Sequence, residues 1–290
     1  MKPDEKVLAT AGPHPISSFG GTFADVCAHE ESEHAMSDLV RYEYAAGVAR
    51  IVLARPDRAN AIDLSTAHAL GKAVKRAAHP DVRAVVVRGE SARFCAGGDL
   101  AAMAAVPDRA AYVQELATTL DGVFQELAAL PKPVVAAVEG SVAGAGLALM
   151  LSCDVIVAAA STRFVLAYTG VGLTPNCGVS YLLPRAIGQQ RALDLALTGR
   201  RLTAAEALSW VLVTEVVDDA SVGVRADGLA QQLAAGASYA LGQGELLLRS
   251  RELTREQVGR AEARVIAQAI SRPETAALIE SFTGRGAARA

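Results

Sequence analysis

Two glycine-rich turns, Phe94-Cys-Ala-Gly-Gly-Asp-Leu100 and Gly140-Ser-Val-Ala-Gly-Ala-Gly146, constrain this chain more than any other feature. Each closes a strand-like run, Val82–Gly89 or Pro133–Glu139, and each opens into an Ala/Leu/Met-rich segment of helical character. Glycine lets the backbone turn tightly and present bare N–H groups, and the start of the following helix adds partial positive charge. Two such amides aimed at one oxygen would form an oxyanion hole, a cradle for a carbonyl that gains negative charge.

The runs around these turns alternate. Arg50–Ala54, Ala84–Arg88, Val134–Val138 and Val155–Ala159 read as short apolar strands, and Leu64–Ala78 and Arg109–Leu130 as helices, so α/β layering is predicted. The apolar stretch Val142–Ala160 is interrupted by Asp154 and by small residues near its start, and reads as a buried helix running into a buried strand rather than a membrane span. Beyond residue 177 the pattern turns helical. Thr203-Ala-Ala-Glu206 and Thr254-Arg-Glu-Gln257 fit capping boxes, and Leu229–Leu248 carries helical apolar spacing. With 51% apolar and only 4% aromatic residues, the core is expected to consist of small aliphatic side chains in closely packed helices. Residues 1–36 mix Pro, Gly, Ser, His and acidic residues without periodicity and are expected to be poorly ordered. A main body over 37–228 and a helical region over 229–290 would follow.

Several function classes lack their signature. A net charge of −3 leaves no footprint for nucleic acid or an anionic membrane. Cys27, Cys95, Cys153 and Cys177 are widely spaced, with no CxxC pair and no His cluster nearby, so no metal site is expected. His14, His29 and His34 fall in the first 36 residues, and His68 and His79 on or just after a surface helix, where solvation accounts for them. Met1-Lys-Pro-Asp-Glu-Lys lacks the apolar run of a secretory signal, and reduced thiols in a cytoplasmic setting are expected. Gly144-Ala-Gly146 fails as a dinucleotide fingerprint because Leu149 stands where the third glycine belongs. Neither a Walker A pattern nor a GxSxG elbow occurs.

Five segments in order carry a resemblance: Ala54-Arg-Pro-Asp-Arg-Ala-Asn-Ala-Ile62, Phe94–Leu100, Val135–Asp154, Leu182-Leu-Pro-Arg185 and Leu197-Thr-Gly-Arg-Arg-Leu-Thr-Ala-Ala-Glu-Ala-Leu208. From about Asp38 onward the chain resembles the crotonase (enoyl-CoA hydratase/isomerase) superfamily. The resemblance implies an α/β spiral of repeated ββα units, with a C-terminal helical region that packs homotrimers or dimers of trimers. It also implies a coenzyme A thioester as substrate and no separate cofactor. By position, the oxyanion donors would be the backbone N–H groups of Gly98 and Ala145. The coenzyme A moiety would lie along Arg58, Ala59 and Ala61 and along Ala96, Gly98, Asp99, Leu100, Ala101 and Ala145, with Arg55, Arg58 and Arg93 available to its phosphates. Asp99 itself reads as a helix N-cap, and Asp154 as structural.

The departures from the family pattern are informative. Hydratases of the superfamily use two glutamates, and the matching positions here are Ala148 and Tyr168. Alanine transfers no proton, and a phenol with a pKa near 10 is a poor base at neutral pH. The segment Phe164-Val-Leu-Ala-Tyr-Thr-Gly-Val-Gly-Leu-Thr-Pro175 resembles the branch that holds ring-epoxide isomerases of phenylacetyl-CoA breakdown and aryl-CoA dehalogenases. Those relatives carry an aspartate where this chain has Asn176, which is neutral but able to orient water or a substrate oxygen. Cys177 has no histidine beside it to activate the thiol. Asp108, Glu115, Asp121 and Glu126 lie on or near the helix after the first turn, and Tyr112 and Tyr168 are placed to shape an acyl pocket. The sequence nominates no base. Three readings stay open: an isomerase-like or lyase-like acyl-CoA enzyme, a hydratase with altered machinery, and an acyl-CoA binder with little catalysis.

Overall fold

The computed structural model describes residues 38–250 and 253–287, and the segment 1–36 expected to be poorly ordered lies outside them. Strands β1 (Val40–Ala45) and β2 (Val48–Leu53) form an antiparallel hairpin across Ala46 and Gly47, both at positive φ, as a tight hairpin turn requires. From β2 the main sheet continues in parallel through β3 (Ala84–Gly89), β4 (Val134–Val138), β6 (Val155–Ala159) and β9 (Glu215–Val217), giving the order β1-β2-β3-β4-β6-β9. Helices cover parallel strands on both faces, which is why β4 is buried at every position and reads in sequence as an unbroken apolar run.

A second, three-stranded sheet holds β5 (Ser141–Ala143), β7 (Arg163–Val165) and β8 (Arg201–Thr203). Two isolated parallel bridges, Cys95↔Val142 and Ile62↔Gly98, extend this pairing toward the earlier coils of the chain. Each coil thus gives one strand to the large sheet and a short strand or bridge to the small one before entering a helix. This is the spiral of ββα units that the resemblance implies.

The helices are α1 (Leu64–Ala77), α2 (Leu100–Ala105), α3 (Arg109–Ala128), α4 (Ala145–Leu151), α5 (Val179–Ile187), α6 (Gln189–Thr198), α7 (Ala204–Ser209), α8 (Val222–Ala234), α9 (Ser238–Arg249), α10 (Arg255–Ile270) and α11 (Pro273–Ala287). Local signals place several of them. Asp63 and Asp108 cap α1 and α3, and Thr203 with Glu206 and Thr254 with Gln257 form reciprocal capping boxes on α7 and α10.

The helical spacing over Leu229–Leu248 divides between α8 and α9, and position 228/229 lies inside α8. The stripe Val222, Ala226, Ala230 and Ala234 packs at i, i+4 spacing against Val86, Val135 and Val157 of the main sheet, so α8 belongs to the core. The break at 235–237 is gripped by Arg83, whose Nη2 donates to Gly236 O (2.7 Å) and Nε to Ser238 Oγ (2.7 Å). Among the described residues, no helix is long and apolar enough to cross a membrane. No cluster among them could hold a metal ion either.

Candidate active site

The two glycine turns pack directly on each other. Gly97 sits at φ +94, and a Cβ there would lie 2.7 Å from Ala143 O and 3.3 Å from Ala145 N. A Cβ on Gly146 would run into Cys95 O, so both positions need glycine for close backbone approach. Ala143 N donates to Cys95 O at 3.1 Å, tying one turn to the other. Ile62 N donates to Gly97 O (2.8 Å) and Asp99 N to Ile62 O (2.9 Å). In such a parallel bridge the groups flanking Gly98 point toward Ile62, so the N–H of Gly98 points to the other side. Ala145 opens α4, where a first-turn N–H has no intrahelical acceptor. No hydrogen bond among the described residues engages the N–H of Gly98 or of Ala145. The two amides singled out in sequence are therefore brought to adjacent turns and left open.

The loop before α1 is fixed from within. Asn60 is buried at positive φ, accepts from Arg55 N through Oδ1 (2.8 Å) and donates through Nδ2 to Glu90 O (3.1 Å) and to Arg93 O. Arg55 donates to Ala61 O (2.6 Å) and pairs with Asp63 (3.2 Å) and Asp99 (3.0 Å). Asp99 caps α2 by accepting from Ala101 N (3.0 Å) and Ala102 N (3.1 Å). Burial alone would raise its carboxyl, but the Ala102 amide, Arg55 and the Ala101 amide together hold it below the usual carboxylate range. Ala96 N donates to Ala59 O at 3.1 Å. The residues expected along the coenzyme A moiety are thus assembled: Arg58, Ala59 and Ala61 on one strand of the loop, Ala96 and Asp99–Ala101 on the other. Arg58 and Leu100 are exposed at this rim, and Arg93 is exposed and donates to Pro56 O (3.3 Å). Arg55 is not available to phosphates as expected, because the two carboxylates and Ala61 O already occupy it. Asn60 and this Arg55 network were missed in sequence. An asparagine flanked by alanines just after a Pro-Asp-Arg turn was the available signal.

Tyr168 is buried against Gly144, whose Cβ would meet the ring at 3.7 Å. Its hydroxyl donates to Asn176 Oδ1 at 2.9 Å. Burial raises the phenol well above its ordinary value, so it stays protonated. Asn176 is followed by Cys177 at φ +52 and Gly178 at φ +73. Burial, then the charge of Asp121, pushes the Cys177 thiol up to about 12, which removes it as a nucleophile. Ala148 is fully buried in α4 and carries no polar group. Of the α3 carboxylates, Glu115 and Glu126 are exposed and Asp108 is a cap, whereas Asp121 faces the turn at Gly178.

The sequence model of the family described as enoyl-CoA hydratase/isomerase matches residues 43–287. The chain belongs to this family. It is 36% identical over 213 residues to the 1,2-epoxyphenylacetyl-CoA isomerase of Escherichia coli, covering 71% of this chain and 80% of that protein. It is 38% identical over 205 residues to a protein of Rhodobacter capsulatus named as an enoyl-CoA hydratase, covering 69% and 77%. The crystal structure of a Mycobacterium abscessus protein named for the enoyl-CoA hydratase/isomerase family superposes with a TM-score of 0.81 at 35% identity, covering 85% of this chain and 96% of that one. The first of these likenesses lies in the branch expected from residues 164–175.

Proposed function

We propose that this enoyl-CoA hydratase/isomerase family member binds an acyl-CoA thioester with its carbonyl oxygen between the N–H groups of Gly98 and Ala145, and moves protons on the acyl group through the resulting enolate. The observation that carries this reading is the pair of open amides on two turns packed backbone to backbone. Preorganised donors of this kind are worth about 2.7–4 kcal/mol each at an oxygen that gains charge. The rim from Arg58 to Ala61 and from Ala96 to Ala101 would hold the coenzyme A moiety, mainly through backbone groups. No separate cofactor is required, since coenzyme A arrives with the substrate.

An isomerase-like reaction is favoured over hydration because neither Ala148 nor the protonated Tyr168 can activate water. The amide of Asn176, its oxygen held by Tyr168, is placed to orient a water or a substrate oxygen rather than to take a proton. The same hydrogen bond favours a second reading, an acyl-CoA binder with weak turnover, because it ties up Tyr168 and Asn176, two of the three positions where relatives carry an acid or base, and the third is Ala148. The homotrimer implied by the resemblance is also proposed, and apolar side chains left exposed on α10 and α11 (Ile266, Ile270, Leu278, Phe282) support it. Light scattering that returned a single 30.0-kDa particle would refute the trimer.

The test of function is incubation with a 3-enoyl-CoA in heavy water, read by mass spectrometry. A product that has gained deuterium but not the mass of water supports the isomerase reading. Added water restores a hydratase, and unchanged substrate with binding demonstrated leaves the weak binder.

A further inference from the structure

Helix α4 carries Ala145 at its first position, and its far end is held by the C-terminal helices. From the last turn of α9, Arg249 reaches three elements at once. Its Nη2 donates to Ser152 O just past α4 (3.1 Å), its Nη1 to Ala128 O at the end of α3 (3.4 Å), and its Nε to Asp154 Oδ1 (3.0 Å). Asp154 Oδ2 accepts in turn from Val134 N (2.8 Å), the first residue of the strand that leads into the second glycine turn. One guanidinium therefore fixes both ends of the β4–turn–α4 unit.

One turn before Arg249 on α9 stands Glu245. Its side chain is only 10% exposed, it lies 3.7 Å from Arg249 Nε, and both carboxyl oxygens are buried without a hydrogen-bond partner. A further turn back, Gly242 is packed so closely on Pro131 that a Cβ would run into its carbonyl, so α9 lies against the start of the β4 segment. The charged or titratable groups facing Glu245 are the Asp154 carboxylate and, on its own helix, Arg249. The buried Cys153 thiol sits beside that pair. Burial, then the negative charge of Asp154, outweighs Arg249 and pushes the Glu245 carboxyl up to about 8. A protonated Glu245 presents a donor toward Asp154, whereas an ionised one sets two carboxylates against one guanidinium.

We propose that Glu245, Asp154 and Arg249 form a proton-dependent clamp through which the C-terminal helices position the helix bearing the Ala145 amide. Glu245 is a positioning residue in this scheme, and its link to catalysis rests on the reading of Ala145 as a carbonyl donor. The sign follows from the raised value. The neutral clamp is intact below pH 8 and loosens as pH rises through it.

The test compares full-length wild type with Glu245→Gln, which keeps the shape and a donor but cannot ionise. The readouts are hydrogen exchange of residues 145–152, corrected for intrinsic rates, and the carbonyl stretch of bound acetyl-CoA labelled with 13C at the thioester. Between pH 7 and 9, exchange in wild type is expected to rise about 10-fold as Glu245 ionises, while Glu245→Gln stays flat. The carbonyl band of wild type is expected to move back toward its value in water over the same range. Arg249→Gln, which removes the grip altogether, is expected to exchange fast already at pH 7. Identical exchange profiles in wild type and Glu245→Gln would overturn the clamp. A carbonyl band unshifted in every protein, with the exchange difference intact, would overturn the link to Ala145 while supporting the clamp itself.

Discussion

Replacing Gly97 by alanine tests the packing of the two turns. The new Cβ would lie 2.7 Å from Ala143 O and 3.3 Å from Ala145 N, both backbone atoms, at a φ of +94. The positive φ alone costs of order 1–3 kcal/mol for a side-chain-bearing residue. Forcing a methyl group into filled space adds about 1–3 kcal/mol. A total near 4 kcal/mol corresponds to a fall in Tm of about 8–16 °C for a domain of this size. Because the intruding atom presses on the Ala145 turn itself, turnover should fall by a further factor of about 10²–10³, the effect of losing one oxyanion donor. Gly172→Ala is the control. Its φ is +71, but nothing lies within 4 Å of the added Cβ, so it carries strain without intrusion. Thermal unfolding and deuterium incorporation into a 3-enoyl-CoA, measured on both variants, separate the two contributions. If Gly97→Ala matches Gly172→Ala in stability and keeps wild-type turnover, the turns do not pack as described and the reasoning fails.

Other outcomes follow from the same geometry. Asn176→Asp places a carboxylate beside the Tyr168 hydroxyl and should raise deuterium exchange by about 100-fold, with activity lost as pH falls through the carboxylate range; a variant indistinguishable from wild type would remove position 176 from the chemistry. Tyr168→Phe removes the donor to Asn176 and should lower stability by about 1 kcal/mol, read from denaturant midpoints. The Asp99 carboxyl is held low in the folded state, so its contribution to stability is full above about pH 4 and lost as pH falls further. Asp99→Asn, which keeps a capping oxygen but leaves Arg55 short of one charge, should therefore flatten the acid limb of a stability–pH curve. With its thiol pushed up to about 12, Cys177 should resist iodoacetamide at pH 8 in the folded protein and react once it is unfolded.

Much of the architecture was legible because it is local. Asp99 as a cap, the two capping boxes, the strands ending in each glycine turn and the helix–strand reading of Val142–Ala160 all depend on residues within a few positions of one another. The two turns were legible for the same reason, whereas Gly98 and Ala145 were singled out within them by the family resemblance. What escaped is long-range. Arg249 and Asp154 are 95 residues apart, and Arg50 and Asp227, which join β2 to α8, are 177 apart. The end of α8 escaped as well, because the apolar spacing resumes past Gly236 and the grip of Arg83, reaching from just before β3, comes from 153 and 155 residues away. Arg55 looked like a free cation because its partners, Asp63 and Asp99, meet it only when the two loops come together.

The measurement closest to the central claim is the infrared carbonyl stretch of a 13C-labelled thioester bound to wild type and to Ala145→Pro. Proline is tolerated at the first position of a helix and replaces the N–H by the ring Cδ, so it deletes the donor. The account predicts a band shifted to lower frequency in wild type and partly restored in Ala145→Pro, with coenzyme A affinity largely kept. A band at its value in water in both proteins, with binding demonstrated, would contradict it.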